Sequence, residues 1–253
     1  MARISAPLAL VTTLAVLAAC ASEPDGSCVS DRRISLNRIS LNRIALNRIS
    51  LNGLLGAELP ELALTSEALG AAIDPAVLAD ELAASVLEYT VSCALTAEQS
   101  VAVAVGDETR TFTGALGLAP QWGERDGECD GECRRWVSAC LIARSNYTGE
   151  SHEISLLGNR PELDPTVDES RDFDVEEATY FGDLFADPMT IYACVPEGAS
   201  PPERTCGDGS DCAIAIVGAC DEVCDTAGCR GANGDVFTQT ITVNLRDDAT
   251  SCE

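Results

Sequence analysis

Thirteen cysteines in a chain of 253 residues constrain the fold more than any other feature. Disulfides persist in oxidising, exported compartments, whereas the same thiols stay reduced in the cytosol. Because thirteen is odd, at least one cysteine has no partner within the chain. The compartment therefore decides whether these cysteines act as cross-links or as metal ligands.

The N-terminal segment indicates export. Arg3 precedes an apolar run over about residues 6–16 and a stretch of small residues, which is the layout of a secretory signal peptide. The run is shorter than the roughly 20 apolar residues that span a bilayer. An uncleaved helical anchor is the alternative interpretation. The segment closes on the tetrapeptide Leu17-Ala18-Ala19-Cys20.

This tetrapeptide resembles the lipobox of bacterial lipoproteins. The resemblance implies that residues 1–19 form a lipoprotein signal peptide, and that Cys20 is acylated and becomes the new N-terminus. The residue after Cys20 is Ala21 and not an aspartate. By resemblance to Gram-negative lipoproteins, this favours delivery to the outer membrane. We therefore expect an exported protein that is held to a membrane through lipid on Cys20.

Acylation of Cys20 leaves an even number of cysteines. In an oxidising compartment the remaining twelve form up to six disulfides, whose pairing the sequence does not determine. Zinc binding is the alternative, because a Cys-x3-Cys spacing occurs at Cys129/Cys133 and at Cys220/Cys224. The twelve are Cys28, Cys93, Cys129, Cys133, Cys140, Cys194, Cys206, Cys212, Cys220, Cys224, Cys229 and Cys252.

The chain is strongly acidic and contains no lysine. Its formal charge is −25, and removal of residues 1–19 takes away one arginine, which makes it −26. A surface of this sign repels nucleic acid and anionic lipid headgroups. We therefore expect no nucleic-acid partner, and an envelope or extracellular ligand that the sequence does not identify.

A short repeat follows the N-terminal segment. Residues 33–52 read RISLN, RISLN, RIALN and RISLN. A five-residue period gives neither a helix nor a strand one consistent buried face. We expect a spacer here, after a lipidated tether over 20–32 and before a linker over 53–69. A solenoid-like edge docked on the acidic body is the alternative.

Residues 70–253 have the pattern of one disulfide-stabilised α+β domain with two main helices and several short antiparallel strands. An Asp-Pro pair begins an expected amphipathic helix over 75–94. Asp130 caps a second helix, which extends to about Ser145. Cys93 is a candidate disulfide partner of this second helix, one face of which carries Cys133, Val137, Cys140 and Arg144.

The remaining pattern predicts short strands and irregular segments. Residues 163–177 are acidic and predict an exposed loop, and residues 206–229 carry five cysteines in a loop region. The hairpin and strand candidates are Val101–Val105 with Arg110–Gly114, Glu153–Leu157, Met189–Cys194 and Asp235–Leu245.

Candidate chemistry is sparse. His152 is the single histidine, and we interpret it as a surface residue at a strand start, because the nucleophile, metalloprotease and nucleotide-binding motifs are missing. A pair of carboxylates could still serve a secreted hydrolase. Calcium is a further alternative, since acidic loops supply hard oxygen ligands. The weak calcium candidates are Asp172, Asp174, Asp208 and Asp211.

Several stretches resemble a family of uncharacterised secreted myxobacterial proteins over roughly residues 85–245. The resemblance supports one extracellular domain and implies no activity for any residue. Together with the composition, it favours a non-enzymatic binding or structural protein of the cell envelope over a calcium-dependent adhesion module or a hydrolase. The stretches include Tyr89–Leu95, Gly117–Pro120, Trp136–Arg144, Tyr180–Phe185, Val217–Cys220 and Ile241–Val243.

Overall fold

The computed structural model describes residues 34–37, 39–40, 59–105, 108–146, 152–207 and 212–246. These residues form an α+β structure that is rich in disulfides. Its α-helices are α1 (Ser66–Ala72), α2 (Pro75–Leu78), α3 (Glu81–Ala94), α4 (Gly131–Ala143), α5 (Val167–Asp172), α6 (Glu203–Cys206) and α7 (Cys220–Val223). Its strands are β1 (Ile34–Asn37), β2 (Ile39–Ser40), β3 (Ser100–Val105), β4 (Glu108–Thr113), β5 (Ser145–Asn146), β6 (His152–Gly158), β7 (Val175–Asp183), β8 (Thr190–Val195), β9 (Ala215–Ala219), β10 (Cys224–Asp225), β11 (Gly228–Arg230), β12 (Val236–Phe237) and β13 (Ile241–Leu245).

A six-stranded sheet organises the domain. Its strand order is β1-β6-β13-β7-β8-β9, with every neighbouring pair antiparallel except β8 and β9. Helix α4 packs on β7 and β13, and α3 packs on α4. Most of the buried apolar side chains belong to the one core that this layering encloses.

The two longest described helices begin where aspartates satisfy free backbone amides. Asp80 accepts hydrogen bonds from two amides at the start of α3, and Asp130 accepts one from the Cys133 amide at the start of α4. The expected second helix is therefore confirmed. The expected continuous helix over 75–94 is wrong, because the cap at Asp80 starts a new helix after the short α2.

Most of the strand predictions are confirmed. The hairpin is β3 with β4, and the two later short strands are β6 and β8. The expected loop over 163–177 is wrong, because Thr166 and Glu169 form a capping box that starts α5, and Val175 already begins β7. The expected strand over 235–245 divides into β12 and β13.

The N-terminal part of the described chain lies on the domain. Strand β1 pairs with β6 in the register Ile34↔Ser155 to Asn37↔His152, and β2 pairs in parallel with β5. The described residues of the repeat therefore pair with strands of the domain, as in the alternative of an edge that docks on the acidic body. Pentads beyond residue 40, and the expected signal peptide and tether over 1–32, lie outside the described residues.

The hydrophobic core begins earlier than residue 70. Leu59, Leu64 and Leu69 are each at most 3% exposed and belong to the main core. The described part of the expected linker over 53–69 is therefore packed into the domain. Within the described residues, no helix has the length and apolarity needed to cross a membrane.

Five disulfides cross-link the described residues. The expected bridge between Cys93 and Cys140 is formed and joins α3 to α4. Cys20, Cys28 and Cys252 lie outside the described residues. Both Cys-x3-Cys spacings, which the zinc alternative uses, consist of disulfide-bonded cysteines. The other pairs are Cys129–Cys133, Cys194–Cys220, Cys206–Cys212 and Cys224–Cys229.

Candidate functional site

A groove of about 620 Å³ lies between α3 and β4. This volume is in the usual range of small-molecule sites, about 300–1,000 Å³. The end of α4 contributes Arg144 to its wall. The described lining residues are Glu88, Tyr89, Ser92, Arg110, Thr111, Phe112, Thr113 and Arg144.

Local structure fixes the position of Arg144. The residue is the C-cap of α4, and its backbone amide donates to the Cys140 carbonyl. Cys140 lies one helical turn earlier and is bonded to Cys93 on α3. The disulfide therefore holds the turn that precedes Arg144 against the helix that forms the opposite wall.

The guanidinium of Arg144 is buried and only partly bonded. The residue is 9% exposed, and its guanidinium carbon lies 4.2 Å from the centre of the Tyr89 ring. Nη1 donates to Ser92 Oγ at 2.9 Å and contacts Cys93 Sγ at 3.7 Å. Nε is buried and has no hydrogen-bond partner in the described part of the chain.

Burial lowers the pKa of Arg144 below its ordinary value, to about 10. The nearby side chains of Tyr89 and Glu88 act in the opposite direction and offset only part of that effect. Glu88 is exposed, and it forms no salt bridge with Arg144. The groove therefore holds a positive charge that has lost water without gaining a carboxylate among the described residues.

A second buried arginine, Arg204, has a carboxylate partner that compensates its charge. Arg204 Nε donates to Glu177 Oε1 at 2.8 Å, and its Nη2 also donates to Glu177. Both side chains are 5% exposed. Burial lowers the pKa of Arg204, but the bonds and charge of Glu177 and Tyr180 outweigh it and raise this pKa overall. Arg204 thus has the carboxylate that Arg144 lacks.

The same network affects Tyr180. Burial is the main cause that raises the pKa of its hydroxyl, and the charge of Glu177 raises it further. The hydroxyl donates to Glu177 at 3.0 Å and lies 3.3 Å from Thr205 Oγ1. We assign this satisfied cluster a structural role, since it joins β7 to α6.

The rim of the groove carries a second cation. Arg110 on β4 is exposed, as are its neighbours Thr111 and Thr113. The described lining therefore has two arginines and one glutamate, a local formal charge of +1. This sign is opposite to that of the chain as a whole, which is −25.

The other buried carboxylates are held in structural bonds. Glu169 accepts a hydrogen bond from Ser155 Oγ at 2.7 Å, and Asp183 forms a salt bridge with Arg134 at 3.3 Å. Glu177 is paired with Arg204. Glu88 is the sole acidic residue in the described lining of the groove, so that lining offers no carboxylate pair of the kind glycosidases use.

The residues singled out in the sequence lie elsewhere. His152 begins β6 and is half-buried, with no described partner for its Nε2. Asp172 forms a salt bridge with Arg171, and Asp174 is exposed. Asp208 and Asp211 lie outside the described residues. The structure does not bring Asp172 and Asp174 into a group of three or more metal-ligating side chains.

A sulfur cluster is the one described group of three or more such side chains. It consists of Cys194, Cys224 and Cys229, whose sulfur atoms lie within 4.8 Å of one another. Cys194 Sγ is 3.6 Å from Cys224 Sγ, so two disulfides touch. As disulfides, these sulfurs offer no thiolate to a metal.

Sequence reasoning placed Arg144 on the right helix face but did not identify it as part of a site. The available signal was an arginine that shares a face with Cys133, Val137 and Cys140. Such a face is buried, and a buried arginine needs a partner. Ser92 and Arg110 gave no comparable signal.

No family model, curated protein or solved structure matches this chain.

Proposed function

We propose that this chain is a lipid-anchored, disulfide-stapled binding protein of the cell envelope, with a non-enzymatic role. The observation that carries the binding role is the groove lined by Arg144, whose buried Nε has no hydrogen-bond partner among the described residues. A permanent core group would have its own partner, as Arg204 has. The Nε donor of Arg144 has no such partner among the described residues.

The composition of the groove supports binding rather than catalysis. Its described lining has one carboxylate, Glu88, which is exposed, and contains no histidine or free cysteine. General acid–base catalysis needs groups that titrate near the working pH. Arginines and hydroxyls are instead suited to holding a charged or polar ligand in place.

The cross-linking supports an exported location. Ten of the twelve cysteines other than Cys20 form five disulfides in the described residues. Such a density is typical of oxidising compartments. The lipobox resemblance at Leu17–Cys20 supports a lipid anchor, and Ala21 supports the outer membrane.

The lipid anchor is tested by Cys20→Ser. We expect the wild-type protein in the membrane fraction after a high-salt wash, since each buried methylene of an acyl chain contributes about 0.8 kcal/mol. The Cys20→Ser variant should appear in the soluble exported fraction. Cys28→Ser is the matched control, because it removes a nearby thiol but leaves the acylation site. Retention of Cys20→Ser in the membrane to the same extent as the control would reject the anchor.

A further inference from the structure

The free edge of Arg144 has a defined shape. The Nε–H and Nη2–H groups of an arginine are parallel donors that fit the two oxygens of one carboxylate. In Arg144 the Nη1 side is occupied by Ser92 and Cys93, whereas Nε is buried without a described partner. The Nε–H of Arg144 is therefore a donor without a described partner, on the edge that binds a planar oxyanion side-on in arginine–carboxylate pairs.

The domain contains a filled example of this geometry. Arg204 uses its Nε and Nη2 to bind Glu177. Both arginines are buried, with exposed fractions of 9% for Arg144 and 7% for Arg204. They differ in that Arg204 has a carboxylate on this edge, whereas the described residues supply none to Arg144. A ligand carboxylate in the groove would complete the same arrangement.

Charge selects among anions. The chain has a formal charge of −25, so a polyanion is repelled long before it reaches the groove. A single carboxylate suffers this repulsion least, and Arg144 and the exposed Arg110 both line the groove. The ring of Tyr89 and the buried Phe112 supply apolar surface beside these charges. A small carboxylate with an apolar or aromatic part matches this lining best.

We infer that the groove binds a small, singly charged carboxylic acid, with the carboxylate on the Nε edge of Arg144 and with Arg110 as a second cation at the rim. This inference rests on the proposed binding function and names the chemical class of its ligand. Upon binding, the ligand replaces the hydration that Arg144 loses in the folded protein.

The test uses three probes with the full mature chain. 3-Phenylpropionate carries a carboxylate and an aromatic ring, 3-phenylpropanamide is its neutral counterpart, and inorganic phosphate is a compact anion. We expect 3-phenylpropionate alone to raise the thermal unfolding midpoint and to shift the Nε–H resonance of Arg144 in a nitrogen–proton correlation spectrum. A spectrum of Arg144→Lys assigns that resonance.

Two variants and one control locate the site. Arg144→Gln should weaken binding of 3-phenylpropionate by more than about 10-fold, because it removes a charged hydrogen-bonding partner. Arg110→Gln should weaken it by about 2- to 5-fold, as expected for an exposed charge. Arg230→Gln, an exposed arginine outside the groove, makes the same change in net charge and should leave affinity unchanged. Because Arg110 is exposed, its variant keeps the test informative even if Arg144→Gln does not fold.

The results that would contradict the ligand class differ from those that would contradict the binding function. Equal binding of the acid and its amide, or binding that survives Arg144→Gln, would overturn the carboxylate assignment. Preference for phosphate, lost in Arg144→Gln, would overturn it too but leave the groove as the binding site. If no probe binds and the Nε–H resonance does not move, both the ligand class and the binding function of this groove are rejected.

Discussion

Two buried arginines of this domain affect its stability in opposite ways. Arg204 is bonded to Glu177, so each charge compensates the other. Arg144 stacks on Tyr89 and bonds to Ser92, but no described carboxylate balances its charge. An uncompensated buried charge costs stability, and sites that bind ligands commonly retain such a cost. The difference between the two arginines can be measured directly.

We expect Arg204→Met to lower the free energy of unfolding by about 3–5 kcal/mol, because it leaves Glu177 buried and unpaired. Arg144→Met should raise it, since methionine fills similar space without a charge to desolvate. Urea unfolding monitored by circular dichroism measures both values. A similar loss of stability in both variants would show that Arg144 is a compensated structural residue.

The effect of Arg144→Met should depend on pH. The pKa of Arg144 falls to about 10 in the folded state but keeps its higher ordinary value in the unfolded chain, so the unfolded chain binds more protons above about pH 10. The cost of burying the charge is therefore complete below about pH 10 and decreases as pH rises above it. Glu88, Tyr89 and Arg110 also line the groove and remain in both proteins.

The advantage of Arg144→Met over the wild type should accordingly be larger at about pH 8 than at about pH 11. Comparing the two proteins at each pH cancels the titration of the groups that they share. An advantage that grows as pH rises would contradict a lowered pKa for Arg144.

At the scale of elements, the disulfides divide into long-range and local cross-links. Cys93–Cys140 joins two helices across 47 residues of sequence, whereas Cys129–Cys133 spans four residues at the start of α4. A cross-link removes more entropy from the unfolded chain when it closes a longer loop. All four cysteines are buried, so the losses of packing upon substitution are similar.

The double variant Cys93→Ala/Cys140→Ala should lose about 4 kcal/mol of unfolding free energy, and Cys129→Ala/Cys133→Ala about 2 kcal/mol. Both variants replace two buried cysteines with alanine, so the difference between their free energies of unfolding reports the effect of loop length. Urea unfolding measures this difference. Equal losses, or a larger loss for the local bridge, would contradict this account of the cross-links.

Elements with strong local signals could be predicted from the sequence. The cap at Asp130 and the hairpin of β3 with β4 depend on residues close together in the sequence, and the structure has these elements. Strand β7 was missed because Glu176 and Glu177 make its beginning look like an exposed acidic loop. The carboxylate of Glu177 is buried only because Arg204, distant in sequence, binds it. The capping box at Thr166, by contrast, was readable from the sequence.

The candidate site depends on the same kind of long-range packing. The groove forms where α3, β4 and the end of α4 meet, and these elements are separated along the chain. The sequence pattern placed Arg144 on a buried helix face, but the missing partner of its Nε is visible only in the assembled domain.

At the scale of the molecule, export, lipid attachment and cross-linking form one account. Five disulfides occupy ten cysteines of the described residues, and Cys20 is the expected acylation site, so that the expected sixth disulfide would take up Cys28 and Cys252. The disulfides require an oxidising compartment, and export would deliver the chain to one. The acidic chain would then be attached to the membrane by acyl chains, since its charge does not attract it to an anionic lipid surface.

Intact mass spectrometry of the membrane-extracted protein, before and after reduction, tests this account most directly. We predict a mass that begins at Cys20 and includes acyl chains, with reduction adding two hydrogens for each of six disulfides. A mass that retains residues 1–19, or a mass that reduction leaves unchanged, would contradict it.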